Sequence, residues 1–226
     1  MATTPVYLEV ADKRSFAVSL DWPGWARAGK TPDEALETLL EAASRFRKTI
    51  GAAGKAFTVP KTVKGLRVVE QVRGNATTEF GAPGVPAKKS DAKDPTEREL
   101  EPLLKTLQAC WQAFDHAAEK AVRKELRKGP RGGGRELDAI VEHVLDADRA
   151  YMSKLGAAFT PEPKSSTEER FAGARAAFVE AATLRARGEQ PPKPPPRSPM
   201  WPVAYVVRRS AWHHIDHVWE IEDRSS

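Results

Sequence analysis

The C-terminal stretch of the chain carries three of its five histidines. His213, His214 and His217 fall within five consecutive positions of a segment with helical apolar spacing. His213 and His217 are four residues apart, so on a helix their imidazoles project from one face, one turn apart. At this spacing one helix can offer two imidazoles to the same metal ion, as the H-E-x-x-H helices of metalloproteases do. The pattern therefore predicts a metal-ligating helix.

A third imidazole, that of His143, lies upstream in another periodic segment. His143 follows Ile140 by three residues and precedes Tyr151 by eight, which places it on the apolar face of a predicted helix. If that helix packs against the last one, the imidazoles of His143, His213 and His217 converge inside a helical core. Three neutral imidazoles and an open position suit Zn²⁺ or Ni²⁺, with Zn–N bonds of about 2.0–2.1 Å. A divalent ion with an open position lowers the pKa of a bound water or deprotonates a bound thiol.

The remaining polar residues near these positions have two interpretations each. His214 is offset from the face of the His213 pair and is expected to be a supporting or surface residue. Asp146, Asp148 and Asp216 either orient imidazoles by accepting a ring N–H or belong to a solvated helix surface. His116 lies at the polar edge of its helix and receives no role. The alternative without a metal is that His143 is a hydrogen-bonded core residue and that the histidine-rich helix end is a polar surface feature.

Composition and charge exclude several classes of protein. The net charge is only +5, and acidic residues are interleaved almost throughout, which argues against nucleic acid as a partner. The basic stretch at 119–135 is interpreted as a helix end whose Lys and Arg residues complement the macrodipole, and a phosphate-binding patch is the alternative. No apolar run is as long as a membrane span, and no signal peptide is recognisable, so we expect a cytoplasmic protein. The single cysteine, Cys110, precludes an intrachain disulfide and is expected to be a small buried side chain.

Residues 1–84 carry the strand signals. VYLEV and SFAVSL predict a β-hairpin, and DWPGW predicts the turn that follows it. Thr31, Pro32 and Glu34 form a helix start with a capping box, after which the apolar residues recur at helical spacing. GLRVVEQV and ATTEF predict one or two further strands. These elements together predict a small α+β domain.

Helical periodicity dominates the rest of the chain. Residues 85–96 are polar and aperiodic and predict a linker. Residues 97–226 then predict four amphipathic helices, with an extended proline-rich connection at 189–202 before the last. The predicted helices cover 97–128, 135–155, 166–187 and 203–224. This order predicts an all-α up-down four-helix bundle.

The predicted bundle resembles the DinB-like family of metal-binding four-helix bundles. The segments that carry the resemblance are ELDAIVEHVLDADRAYMSKLG with His143 and AWHHIDHVWEIEDR with His213 and His217. The resemblance implies a divalent metal held by these three histidines and a metal-dependent transfer of a low-molecular-weight thiol. The chain departs from the common pattern at Val218-Trp219-Glu220, where many members carry a small residue.

The N-terminal half resembles HicB-like domains, which have an antitoxin-type α+β fold. VYLEV, Trp22-Pro23-Gly24 and the stretch from Gly29 to Leu36 carry this resemblance. HicB antitoxins continue with a DNA-binding module, whereas a predicted helical bundle follows here. The resemblance therefore implies a binding or oligomerisation module that covers the open end of the bundle or forms a homodimer.

Two functions are favoured at this point over a third, nucleic-acid regulation, which rests only on the antitoxin resemblance and the basic stretch and lacks interleaved aromatic residues and a recognition motif. The first is a metal-dependent thiol S-transferase or hydrolase that acts on small electrophilic molecules. The second is a non-catalytic protein-interaction or antitoxin-like regulatory module fused to a helical scaffold. Metal content and the effect of histidine substitutions distinguish the two.

Overall fold

A four-stranded mixed β-sheet forms the N-terminal part of the protein. The computed structural model describes residues 3–128, 134–191 and 199–225. The strands lie in the order β3-β2-β1-β4. β1 and β2 form the predicted antiparallel hairpin, whereas β4 runs parallel to β1. The strand bounds are Thr4–Val10 for β1, Ser15–Ser19 for β2, Ala26–Gly29 for β3 and Leu66–Arg73 for β4.

The sequence-based prediction was wrong for the segment ATTEF, which is a short helix, α2 (Ala76–Phe80). The side chain of Asn75 accepts hydrogen bonds from the amides of Thr77 and Thr78, and Thr78 completes a capping box. Gly81 ends the helix with φ 117°, a left-handed conformation that favours glycine. These local hydrogen bonds outweigh the weak strand preference of a five-residue segment.

The helix predicted from Thr31 is confirmed as α1 (Pro32–Thr49). Thr31 Oγ1 accepts a hydrogen bond from the amide of Glu34, which satisfies one of the free donors at the helix start. Its apolar side packs on the sheet. Two short 3₁₀ helices, Gly51–Ala56 and Val63–Gly65, lead from α1 back to β4.

Four long helices follow the sheet, as predicted. They are α3 (Glu97–Ala121), α4 (Leu137–Lys154), α5 (Thr167–Ala186) and α6 (Val203–Ser225). Helix α3 ends seven residues before the predicted boundary at 128, because the chain turns to meet the end of α6, where the Arg127 amide donates to the Arg224 carbonyl. The predicted glycine-rich stop after α3 and the middle of the extended connection at 189–202 fall largely outside the described residues.

The sheet and the long helices share one hydrophobic core. A continuous cluster of buried side chains includes residues of β1, α1, α3, α5 and α6. Gly24, in the turn before β3, brings the backbone close to α6, since a Cβ there would lie 3.0 Å from Ile215 Cγ1. The two halves therefore pack against each other, and their division at 84–96 into separate domains stays a prediction.

Segment 85–96 contains neither helix nor strand, in agreement with the prediction of a connection. It is nevertheless anchored, because Asp91 is buried and both of its carboxylate oxygens lie 2.6 Å from Arg208 Nη2 on α6. A separate result concerns membranes: within the described part of the chain, no helix has the length and apolar content needed to span one.

Candidate metal centre

The three imidazoles predicted as metal ligands converge at the contact between α4 and α6. His213 Nε2 lies 3.2 Å from His143 Nε2 and 3.3 Å from His217 Nε2. One nitrogen from each ring falls within a group whose members are all within 4.8 Å of one another. The expectation that these three side chains can surround a single ion is confirmed.

The separation of the nitrogens fits a metal site. Two nitrogens that bind one ion at about 2.1 Å, with the tetrahedral angle between the bonds, lie about 3.4 Å apart. The observed separations of 3.2 and 3.3 Å are close to this value. Three imidazoles are also a ligand set that borderline divalent ions such as Zn²⁺ and Ni²⁺ accept.

Helix geometry explains the convergence. The four-residue spacing stacks His213 and His217 on one face of α6, where only 8% and 7% of their surfaces remain exposed. On α4, His143 lies beside the buried residues Ile140 and Val144. It is therefore on the side of the helix that packs against α6. His143 itself is only partly buried, so solvent reaches the cluster from the α4 side.

Burial favours the neutral form of two of the imidazoles, those of His213 and His143. It lowers the pKa of His213 well below the usual value, and the neighbouring imidazoles of His217, His214 and His143 lower it further. The pKa of His143 is also lowered, first by burial and then by the positive charge of Arg135. Neutral rings retain the lone pairs that a metal ligand needs.

Glu220 fixes the orientation of His217. Its Oε2 lies 2.8 Å from His217 Nδ1, and because a carboxylate only accepts, Nδ1 must carry the proton. The lone pair of the neutral ring is then on Nε2, the atom that faces His213. Arg224 Nη1 donates to the other oxygen of Glu220 at 2.8 Å, and the hydrogen bond from His217 lowers the pKa of the carboxyl group.

Sequence analysis did not assign this role to Glu220. The signal available was its position three residues after His217, which places both side chains on one helix face. The other nitrogen of His213 has no comparable support, since Nδ1 is buried without a hydrogen-bond partner among the described residues.

The aspartates considered as orienting groups lie elsewhere. Asp146 and Asp216 are exposed, as is His116. Asp148 is buried, but its Oδ2 lies 3.2 Å from Nε2 of His214 and so does not contact the three candidate ligands. His214 is completely buried, with its Nδ1 2.9 Å from the Ser210 carbonyl oxygen, and it links α4 to α6 as a supporting residue.

Two bulky residues after His217, Val218 and Trp219, are directed away from the cluster. Val218 belongs to the hydrophobic core. Trp219 points to the N-terminal half, where its Nε1 donates to Thr49 Oγ1 at 2.9 Å and the guanidinium carbon of Arg27 lies 3.8 Å from the ring centroid. At these two positions, the departure from the DinB-like pattern does not place a side chain between the imidazoles.

Two other features lie away from the cluster. Cys110 is buried with its Sγ 3.8 Å from the Pro23 carbonyl oxygen, and burial raises the pKa of its thiol, so it is not an available nucleophile. A cleft of about 1330 Å³ opens between the 3₁₀ helix at 51–56, segment 89–96 and the start of α3. None of the three histidines lines that cleft.

Comparisons with known proteins found no matching family model, no matching curated protein and no matching solved structure. No match therefore supports the DinB-like or the HicB-like resemblance, and both stay predictions. Any statement about function has to come from the geometry of the site.

Proposed function

We propose that this protein binds one divalent cation, Zn²⁺ or Ni²⁺, through His143, His213 and His217. We further propose that the bound ion activates a low-molecular-weight thiol or a water for reaction with a small electrophilic molecule. The observation that carries the proposal is the convergence of three Nε2 atoms at separations of 3.2 and 3.3 Å. Lone pairs that face one another at this distance repel unless a cation or a shared proton lies between them.

The residues of the site have distinct parts in this proposal. A divalent ion with three protein ligands keeps an open position, where it lowers the pKa of a bound water or thiol. The three histidines hold the ion, and Glu220 holds His217 in the tautomer that ligation requires. The substrate approaches from the side of His143, the ligand that solvent reaches most easily.

The proposal extends to the architecture. We propose that residues 97–226 form a DinB-like bundle and that residues 1–84 form a HicB-like domain. The four long helices around a shared core and the small mixed sheet support this assignment at the level of layout. Thiol transfer is the reaction that the DinB-like resemblance implies. The support for it in this protein is the geometry of the three histidines.

Metal titration of histidine variants tests the ligand set. We expect chelator-treated protein to bind one Zn²⁺ or Ni²⁺ per chain in a calorimetric titration. His143→Ala and His217→Ala should each abolish stoichiometric binding, because each removes one of three ligands. His116→Ala is the matched control, since His116 is exposed and lies outside the cluster.

Circular dichroism establishes whether the variants remain folded. Loss of metal binding in folded His143→Ala and His217→Ala, with full binding by His116→Ala, supports the site. Unchanged binding in all three variants contradicts it. A cobalt-loaded protein whose visible spectrum responds to no thiol would contradict the thiol chemistry and favour the non-catalytic scaffold.

A further inference from the structure

One arginine next to the candidate metal centre, Arg209, has no hydrogen-bond acceptor within the described part of the chain. Among the described residues, five other arginines of the long helices, and Arg187 just after α5, each lie within 2.9 Å of a carboxylate oxygen; the five are Arg170, Arg175, Arg185, Arg208 and Arg224. Arg209 makes no hydrogen bond or ion pair with any described residue, and its Nη1 is buried. A buried guanidinium N–H without an acceptor is unusual inside a folded protein.

Aromatic rings connect Arg209 with the histidine cluster. The guanidinium carbon lies 4.7 Å from the centroid of the Trp212 ring and 5.7 Å from that of Tyr151. The same two rings lie 6.3 and 5.9 Å from the ring of His213. Arg209 is also one helical turn before His213 on α6, so both side chains flank the same aromatic pair.

Among the described residues, no carboxylate accepts a hydrogen bond from Arg209. Glu9 accepts hydrogen bonds from Thr78 Oγ1 and from the amide of Gly84. Asp148 lies against Ser210 and His214. The guanidinium of Arg209 is therefore held by cation–π contacts and has no direct ion pair with a described residue, so one of its buried N–H groups is free to bind an acceptor.

The charge of the metal centre adds to this imbalance. Three neutral imidazoles supply no negative charge to a divalent ion. The guanidinium of Arg209, which lies over the same Trp212 ring that contacts His213, adds a positive charge on this side of the cluster. The site therefore favours an anionic ligand.

We infer that Arg209 binds a carboxylate of the substrate while the reactive end of the same molecule lies at the cation held by the three histidines. The inference rests on the proposed metal site and names its substrate class, a small molecule with a single carboxylate. A guanidinium fork matches the two oxygens of a carboxylate. A single arginine balances one negative charge, whereas a phosphate dianion would need a second cation.

Two thiols that differ in one carboxylate test the inference. In cobalt-loaded protein, thiolate binding is followed by the visible and near-ultraviolet absorption of the ion during titration with 3-mercaptopropionate or 2-mercaptoethanol. We expect wild-type protein to bind 3-mercaptopropionate at least about tenfold more tightly, the effect of one charge-assisted hydrogen-bonded pair.

The preference should depend on Arg209 alone. Arg209→Gln should bring the affinity for 3-mercaptopropionate down to that for 2-mercaptoethanol and leave the latter unchanged, a result that a merely structural role would not give. Arg209→Lys should keep part of the preference, because it keeps the charge but loses the fork. Arg149→Gln, which removes an exposed arginine of α4, is the matched control and should keep all of it.

Each way of failing is distinct. Equal affinity for the two thiols in wild-type protein, or a preference that survives Arg209→Gln, overturns the role of Arg209 and leaves the metal site intact. Failure of cobalt to bind overturns the metal site and this inference together.

Discussion

A single hydrogen bond within α6 determines which nitrogen of His217 faces the other two rings. Because Glu220 accepts from Nδ1, the lone pair of the neutral imidazole is on Nε2. The neutral state itself is favoured by burial, which lowers the pKa of His213 and His143. Two effects thus prepare the imidazoles for a metal ion: the hydrogen bond from His217 to Glu220 and the burial of His213 and His143.

We predict that Glu220→Ala weakens Zn²⁺ or Ni²⁺ binding by about 10–100-fold, the range typical for residues that orient a ligating histidine. Glu220→Gln should lose less, because the amide oxygen can still accept from Nδ1. Competition with a chromophoric chelator measures both affinities. Glu119→Ala, an exposed position at the end of α3, is the control, and equal affinities in Glu220→Ala and this control would contradict the orienting role.

Sequence could predict the ligands but not their surroundings. His213 and His217 are four residues apart, and helix geometry alone places such a pair on one face. This pair could therefore be predicted without a structure. That Arg209 has no hydrogen-bond acceptor among the described residues could not be predicted from the sequence. It depends on which carboxylates of other elements lie nearby and on what those carboxylates already bind. The choice of Glu220 over Asp146, Asp148 and Asp216 depends likewise on side-chain direction.

At the scale of elements, the site depends on α4 remaining in register with α6. A buried polar contact joins the two helices just beyond the cluster: Asp148 Oδ2 lies 3.2 Å from His214 Nε2, and Ser210 Oγ lies 3.3 Å from Oδ1. A displacement of α4 along α6 would separate these groups and carry His143 away from the other two ligands.

We predict that Asp148→Ala lowers the free energy of unfolding by about 1–3 kcal/mol, because it removes the acceptor of the buried Ser210 hydroxyl and the carboxylate that faces His214. The exposed Asp146 on the same helix gives the control variant, Asp146→Ala, for which a change within about 0.5 kcal/mol is expected. Urea unfolding of the metal-free protein measures both. A loss in Asp148→Ala no larger than in the control would show that this contact does not hold the helices together.

The helices and strands could be predicted from the sequence where their apolar pattern extends over many residues. Each of the four long helices spans at least 18 residues, enough for the apolar period to identify it. β3 (Ala26–Gly29) has four residues and no β-branched side chain, so nothing in its sequence indicates a strand. α2 was predicted as a strand because its capping by Asn75 was not recognised.

The whole molecule behaves as two packed halves rather than two modules on a free linker. The shared core and the buried pair of Asp91 and Arg208, which are 117 residues apart in sequence, connect them. Such long-range pairs leave no local signal, which is why the polar composition of 85–96 predicted only a linker. The contact of Gly24 with α6 is equally invisible in the sequence.

We predict that Gly24→Ala destabilises the protein by about 1–3 kcal/mol more than Gly51→Ala does, the usual cost of overpacking a filled site. Both glycines have positive φ, but a Cβ at Gly24 would lie 3.0 Å from Ile215 and 3.2 Å from Cys110, whereas one at Gly51 meets nothing within 4 Å. Thermal or urea unfolding, followed by tryptophan fluorescence and by circular dichroism, measures the difference. Equal losses would argue that the halves do not depend on this contact.

The metal content of the protein purified without chelators tests the central claim most directly. Elemental analysis should find one zinc or nickel ion per chain in the wild-type protein, and the ion should be absent from folded His213→Ala, which lacks the ligand at the centre of the cluster. A wild-type protein that carries no divalent ion and takes up none when Zn²⁺ or Ni²⁺ is added would contradict the account.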